Sequence, residues 1–128
     1  MTGFALSPLP RPRIAQGVLS LALLGASIAV VATTGATWGW VAATAMAPDV
    51  ALLLGVGRGL AKGQLHPRAV PLYNALHHPA GPLALGALAA LGVVGAGPAA
   101  AALAWAFHIA MDRAAGYGPR TRDGLQHS

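Results

Sequence analysis

Apolar residues run along this chain in four long stretches, separated by short segments rich in glycine, proline or charge. Each stretch has about the 20 mostly apolar residues that an α-helix needs to cross a bilayer. The pattern therefore predicts an all-α protein, a four-helix transmembrane bundle that forms one membrane domain over residues 1–128. The predicted spans are 14–33, 37–57, 69–94 and 98–117.

The composition also indicates a membrane protein, because 55% of the residues are hydrophobic and only 9% are charged. Soluble domains carry roughly 25% charged residues, so this chain has too few to cover a globular surface. A formal charge of +5 would suggest a nucleic-acid partner in a soluble protein. Here the basic residues flank apolar runs, and we expect no nucleic-acid partner. The absence of cysteine excludes disulfides and thiolate sites.

The basic residues show which way the spans are oriented. They lie before the first span, between the second and third spans, and at or beyond the end of the fourth. With four spans, all eight fall on one side, which the positive-inside rule assigns to the cytoplasm. We therefore expect both termini in the cytoplasm. A cleaved signal peptide is the less favoured alternative, because the first apolar run is long for that role.

Four ionisable residues inside the predicted spans are candidates for a site, namely Asp49, His77, His108 and Asp112, and His78 beside His77 is a fifth. Such groups are costly inside a bilayer and usually functional. Each of the first three lies nine residues from an arginine or tyrosine at the cytoplasmic end of its span, which is about 13 Å along a helix. His108 and Asp112 are four residues apart and share a helix face. The pattern predicts that these side chains meet in the bundle.

Two imidazoles and two carboxylates can bind a divalent cation such as Zn²⁺, Mn²⁺ or Fe²⁺, and their charges offset that of the ion. Two other interpretations stay open at this point. One is a set of structural ion pairs, in which Asp49 pairs with a histidine and Asp112 with Arg113 or Arg68. The other is a pathway for protons or substrate. Without a divalent metal, no cofactor is expected.

Three further residues are candidates for substrate binding. Tyr73 and Asn74 precede His77 by four and three residues and extend its polar stripe. The guanidinium of Arg113 suits an anionic group of a substrate.

The sequence assigns no role to His78, which adjoins His77, or to His127 in the tail. Residues 119–128 are polar and too short for another span. We expect them to form an extended or mobile tail without a helix.

Three segments, "APDVALLLG", "LYNALHH" and "WAFHIAMDRAAGYG", together resemble the bacterial membrane family known as domain of unknown function 4260. The resemblance runs from about Val41 to Tyr117, with a weaker continuation to His127. It implies a small four-helix protein, multi-pass in the bacterial inner (plasma) membrane, but no activity. A more distant similarity is to small inner-membrane metal-dependent hydrolases, which place Pro-Asp in one helix and His-x-x-x-Asp in a later one. This chain lacks their second aspartate and their His-Arg…Thr-His-Ser run.

We interpret the chain as a small integral membrane protein with a metal-binding polar site inside the membrane, near its cytoplasmic side. The favoured activity is metal-dependent hydrolysis of a phosphorylated or lipid-like substrate. The alternative is a non-enzymatic membrane protein, either a small carrier or a partner subunit, whose polar residues are structural. The expected partners are the lipid bilayer and a small-molecule or lipid substrate, and a homo-oligomer stays open.

Overall fold

The computed structural model describes residues 11–126, which form six α-helices and two short 3-10 turns. The helices are α1 (Arg11–Thr34), α2 (Gly39–Met46), α3 (Val50–Leu54), α4 (Val70–Leu76), α5 (Ala80–Ala90) and α6 (Ala96–Ala115). The 3-10 turns are Ala47–Asp49 and Pro67–Ala69. No β-strand occurs in residues 11–126, so the predicted all-α class is confirmed.

The second predicted span, 37–57, is not one continuous helix. It is divided into α2 and α3 by the turn Ala47–Asp49. Pro48, in the middle of that turn, has no N–H with which to continue the helix. The break therefore falls at Asp49, one of the four predicted site residues.

The third predicted span, 69–94, is divided in the same way into α4 and α5. His77 ends α4 and Pro79 precedes α5, and a proline there cannot donate to the carbonyl one turn earlier. Within the break, the N–H of Gly81 donates to the carbonyl of His78 at 3.3 Å. In a regular helix this N–H would donate to the carbonyl of His77. The carbonyl of His77 is therefore available to a donor from another helix.

The bundle is organised around α6, against which α1, α2 and α5 each pack. The buried face of α6 is built mainly from alanines, namely Ala100, Ala101, Ala102, Ala104 and Ala110. Small side chains let neighbouring helix backbones approach closely. The buried hydroxyl of Ser27 in α1 donates to the carbonyl of Ala100 at 3.1 Å, which joins the two longest helices.

Several chain segments meet at one end of this bundle. The guanidinium of Arg13 donates to the carbonyl of Ala114 at 2.9 Å, which places the start of α1 beside the end of α6. The N–H of Leu65 donates to the carbonyl of Gly124, also at 2.9 Å. All eight Lys and Arg residues belong to the segments that meet here, and we call this the basic end.

A glycine sets the point at which α6 stops. Gly116 has a φ of 94°, a left-handed conformation that costs glycine little. The N–H of Tyr117 donates to the carbonyl of Asp112 at 2.8 Å, and that of Gly116 to the carbonyl of Arg113 at 3.1 Å. This is the hydrogen-bond pattern of a Schellman motif. Asp112 therefore lies in the last turn of α6, close to the basic end.

The described part of the tail has no helix, as the sequence predicts, but it is a tight turn that packs against the chain and not an extended segment. Residues 119–126 contain no helix, and Arg120 and Gln126 form an antiparallel bridge. The N–H of Arg120 donates to Asn74 Oδ1 at 2.7 Å, and Asn74 Nδ2 donates back to the carbonyl of Arg120 at 3.0 Å. The tail is thus packed against α4. His127 lies outside the described residues.

Within residues 11–126, α1 is the one helix both long and apolar enough to cross a bilayer, and the apolar run Gly39–Leu54 is shorter. Large apolar side chains are nevertheless exposed on several helices. Leu21 of α1 is 71% exposed, Leu53 of α3 75% and Leu83 of α5 70%. Soluble monomers seldom expose large contiguous apolar patches, so the outer surface of these helices is suited to an apolar environment.

Candidate metal centre

The structure brings together the four predicted metal-binding residues. One ligand atom from each of Asp49, His77, His108 and Asp112 lies within 4.8 Å of the others. Asp49 comes from the turn after α2, His77 from the end of α4, and the other two from one face of α6. We call these four residues the cluster.

Backbone carbonyls orient both imidazole rings. His108 Nδ1 lies 2.7 Å from the carbonyl oxygen of Ala45, and His77 Nδ1 lies 2.8 Å from that of Tyr73. A carbonyl only accepts hydrogen bonds, so each Nδ1 carries a proton. In a neutral ring, Nε2 then has a free lone pair. The two Nε2 atoms face each other across 3.3 Å.

Both carboxylates lie beside this pair of nitrogens. Asp49 Oδ1 is 3.4 Å from His77 Nε2 and 3.1 Å from His108 Nε2. Asp112 Oδ2 is 3.2 Å from His77 Nε2 and 3.4 Å from His108 Nε2. With both rings neutral, four acceptor atoms converge and none of them can donate. Such an arrangement needs a shared cation, either a metal ion or protons.

The separations fit the coordination shell of a small divalent ion. A regular tetrahedron with edges near 3.3 Å, the separation of the two Nε2 atoms, has its centre about 2.0 Å from each corner, which is the usual Zn–N and Zn–O distance. The two carboxylate oxygens lie within 4.8 Å of each other. Two carboxylates with two neutral imidazoles also balance the charge of a divalent cation.

The cluster is enclosed on one side and accessible on the other. The side chains of His77 and His108 are only 4% and 2% exposed, and that of Asp112 is 18% exposed. The side chain of Asp49 is 48% exposed. A ligand from outside the bundle would therefore reach the cluster past Asp49.

The arginines that the ion-pair interpretation assigned to Asp112 bind carbonyls instead. Arg113 Nη2 donates to the carbonyl of His77 at 3.3 Å, and Arg68 donates to two carbonyls at the end of α3. In the described part of the chain, only the two cluster histidines lie within ion-pair distance of Asp49 and Asp112. Asp49 thus pairs with histidines, whereas no Asp112–Arg pair forms among these residues.

Tyr73 and Asn74 lie next to the cluster in supporting positions. The Tyr73 ring, 3% exposed, stacks on His77 with centroids 4.1 Å apart and planes at 19°. The guanidinium of Arg120 lies 4.7 Å from the centroid of the same Tyr73 ring, and Asn74 holds the backbone of Arg120. Substrate binding by Tyr73 and Asn74 stays a prediction. No local sequence pattern indicates a role for Arg120, because only the folding back of the tail brings it here.

The two other described histidines cap short helical segments. His78 Nδ1 accepts a hydrogen bond from the N–H of Ala80 at 3.0 Å, at the start of α5. His66 Nδ1 accepts from the N–H of Arg68 at 3.2 Å, before α4. Neither belongs to the cluster, so His78 has a structural role although it adjoins His77.

Comparisons with known proteins identify a family but no function. No curated protein and no solved structure matches the chain, so the distant similarity to metal-dependent hydrolases has no counterpart there. The sequence model of one family, described as domain of unknown function (DUF4260), matches residues 14–128. The match includes all four cluster residues and most of the chain, and the protein therefore belongs to the DUF4260 family.

Proposed function

We propose that this protein is an integral membrane protein that binds one divalent metal ion in its Asp49–His77–His108–Asp112 cluster, with Zn²⁺ the best fit. The convergence of four acceptor atoms carries this proposal. Protons alone are a poorer solution, because two protonated rings would bring like charges within 3.3 Å. A single shared proton would leave one carboxylate charge unbalanced beside two buried imidazoles.

Several features support a multi-pass arrangement in the bacterial inner membrane. The exposed apolar side chains of α1, α3 and α5 would face lipid. Interrupted helices occur inside membranes where the irregular backbone lines a site enclosed by protein, and the cluster lies at both helix breaks. The basic end would face the cytoplasm, with both termini, by the positive-inside rule. The cluster would then lie inside the membrane near its cytoplasmic side.

The cluster also suits hydrolysis, which we propose as the activity. A bound divalent ion lowers the pKa of its water and polarises the bond to be cleaved. For this activity His77, His108 and Asp112 would hold the ion, and Asp49, half-exposed at the entrance, would leave the fourth position to a water and orient it. The enclosed histidine side excludes bulk water from the rest of the site. A phosphorylated or lipid-like substrate remains the favoured class.

Elemental analysis of protein purified in detergent tests metal binding. The chain has three acidic residues, and the third, Asp123, is exposed and outside the cluster. Wild type and Asp123→Asn should carry about one ion per chain, as expected for a single four-ligand site, whereas Asp112→Asn should lose most of it. Folded wild type that neither carries a metal nor takes up added Zn²⁺ would refute the proposal.

Hydrolysis is tested separately, on metal-loaded protein with bis-p-nitrophenyl phosphate and p-nitrophenyl butyrate. Wild type should hydrolyse one of these probes faster than Asp49→Asn at equal metal content. If wild type carries metal and the two proteins show the same background rate, the hydrolase proposal fails and metal binding stands. The non-enzymatic alternative, a small carrier or partner subunit, would then be favoured.

A further inference from the structure

A long apolar groove runs along α6 between α1 and α5. Its volume is about 900 Å³, near the upper end of the roughly 300–1,000 Å³ typical of ligand pockets. Leucines of the three helices form its walls, among them Leu23, Leu83 and Leu103, and Ala106 lies between them on α6. Ala106 is two residues from His108, about 200° around the helix. The groove therefore occupies the face of α6 opposite the cluster.

One end of the groove is cationic. Arg113 and Gln16 line it there. Arg113 donates one hydrogen bond, to the carbonyl of His77, and a guanidinium has five N–H groups. Across residues 11–126, no carboxylate lies within ion-pair distance of Arg113. Arg13 lies at the same end, bonded to the carbonyl of Ala114. An anion at this end would meet uncompensated positive charge.

The groove is longer than one leaflet of a bilayer is deep. Its lining on α6 extends from Ala99 to Arg113, a separation of 14 residues (113 − 99) and so about 21 Å. Half of a hydrocarbon core about 30 Å thick is about 15 Å. An acyl chain starting at the level of Arg113 would lie within the groove over the full depth of its leaflet.

We propose that this groove binds one acyl chain of an anionic phospholipid, with the phosphate of its headgroup at Arg113. The inference rests on the membrane placement proposed above and is independent of the metal. Charge complementarity selects an anionic lipid, because among residues 11–126 the one charged side chain that lines the groove is the cation Arg113. The bilayer supplies such a lipid directly, in the leaflet that faces the cytoplasm.

Native mass spectrometry of delipidated protein in detergent, mixed with equal amounts of phosphatidylglycerol and phosphatidylcholine, tests the proposal. Wild type should retain one phosphatidylglycerol. Ala106→Phe, which fills the groove, should lose it, whereas the matched control Ala43→Phe, on the exposed face of α2, should keep it. Arg113→Gln should lower the preference for phosphatidylglycerol by about fivefold, the contribution of one basic side chain near an anionic surface.

A second measurement covers the case in which Ala106→Phe does not fold. Phosphatidylglycerol with a diazirine on its acyl chain should label wild-type Leu83 or Leu103 in the groove, and not Leu53, which is exposed on α3. Equal labelling of all three would overturn the proposal, and so would equal lipid retention by the two phenylalanine variants.

Other occupants give different results, and each would overturn the proposal. If wild type binds no lipid but forms a dimer, and Ala106→Phe breaks that dimer, the groove is occupied by a second copy of the chain. A disulfide in Phe4→Cys/Leu103→Cys without bound lipid would assign it to residues 1–10. Metal content and membrane fractionation are measured on the same preparations. If wild type binds metal but no lipid, only the lipid inference is wrong. If wild type is not found in the membrane fraction, the proposed membrane placement is wrong as well.

Discussion

The Nε2 atoms of His77 and His108 face each other at 3.3 Å, while the Nδ1 atom of each ring is held by a backbone carbonyl. Those carbonyls belong to Tyr73 and Ala45, and each lies about one turn before a helix break. The Tyr73 carbonyl also accepts the backbone N–H of His77 at 3.0 Å, so the last turn of α4 holds the His77 ring. The His108 ring is held across the bundle by a carbonyl of α2. The two rings are therefore oriented by different helices.

Zinc should stabilise the folded protein through the cluster. At a free concentration of 100 times Kd, an ion that binds only the folded state adds about 2.7 kcal/mol to the free energy of unfolding. Thermal unfolding of wild type in detergent should therefore shift upward with Zn²⁺ and downward with a chelator. His77→Ala should abolish the shift, and His78→Ala, its neighbour outside the cluster, should keep it. A wild-type midpoint that ignores both additions would contradict the metal site.

Tyr73 should act on metal affinity through the position of His77. Its ring stacks on the imidazole at 4.1 Å, so Tyr73→Leu removes the flat surface that holds His77 in place. Zinc affinity, measured by competition with a chromophoric chelator, should fall about tenfold, as is usual when a supporting contact of a metal ligand is lost. Tyr73→Phe keeps the ring and should bind zinc like wild type. Equal affinity in the leucine variant would show that His77 needs no such support.

Helix content and the common depth of the polar residues could be predicted from the sequence, because both follow from spacing. Asp49, His77 and His108 are each nine residues from an arginine or tyrosine at the basic end. The spacing predicted a similar depth, although the segment after Asp49 is α-helical only over Val50–Leu54. The bundle contacts around α6 then bring the three residues together. The spacing of His108 and Asp112 adds the fourth on the same face.

The supporting contacts could not be predicted, because they depend on backbone details and on contacts distant in sequence. Pro48 and Pro79 are visible in the sequence, but nothing in the sequence indicates that the Ala45 carbonyl is the hydrogen-bond partner of His108. Arg120 reaches Tyr73 only because the tail folds back. No local pattern encodes that return, and the sequence alone indicated an extended or mobile tail.

Gly124 should be required for the packing of the tail. It has a φ of 89°, and an added Cβ would overlap the carbonyl of Leu65, the residue whose N–H donates to the carbonyl of Gly124. Gly124→Ala combines backbone strain with a steric clash and should lower the free energy of unfolding by roughly 1–3 kcal/mol. Gly118→Ala has open space around its new methyl group and should be close to wild type. Thermal unfolding of the two variants in detergent measures the difference, and equal midpoints would show that the tail contributes nothing to stability.

The depth of the cluster in the membrane follows from the number of spans. That number depends on whether Gly39–Leu54 crosses the membrane. Its 16 residues (8 + 3 + 5) cover about 24 Å, less than a hydrocarbon core of about 30 Å. With four spans, activity-reporting fusions at the N- and C-termini should both report the cytoplasm, and a fusion in the connection 92–95 should report the opposite side. Reporters that place the termini on opposite sides would contradict the packing of Arg13 against the carbonyl of Ala114, which holds the start of α1 beside the end of α6. The four-span arrangement, and with it the placement of the cluster near the cytoplasmic side, would then be wrong.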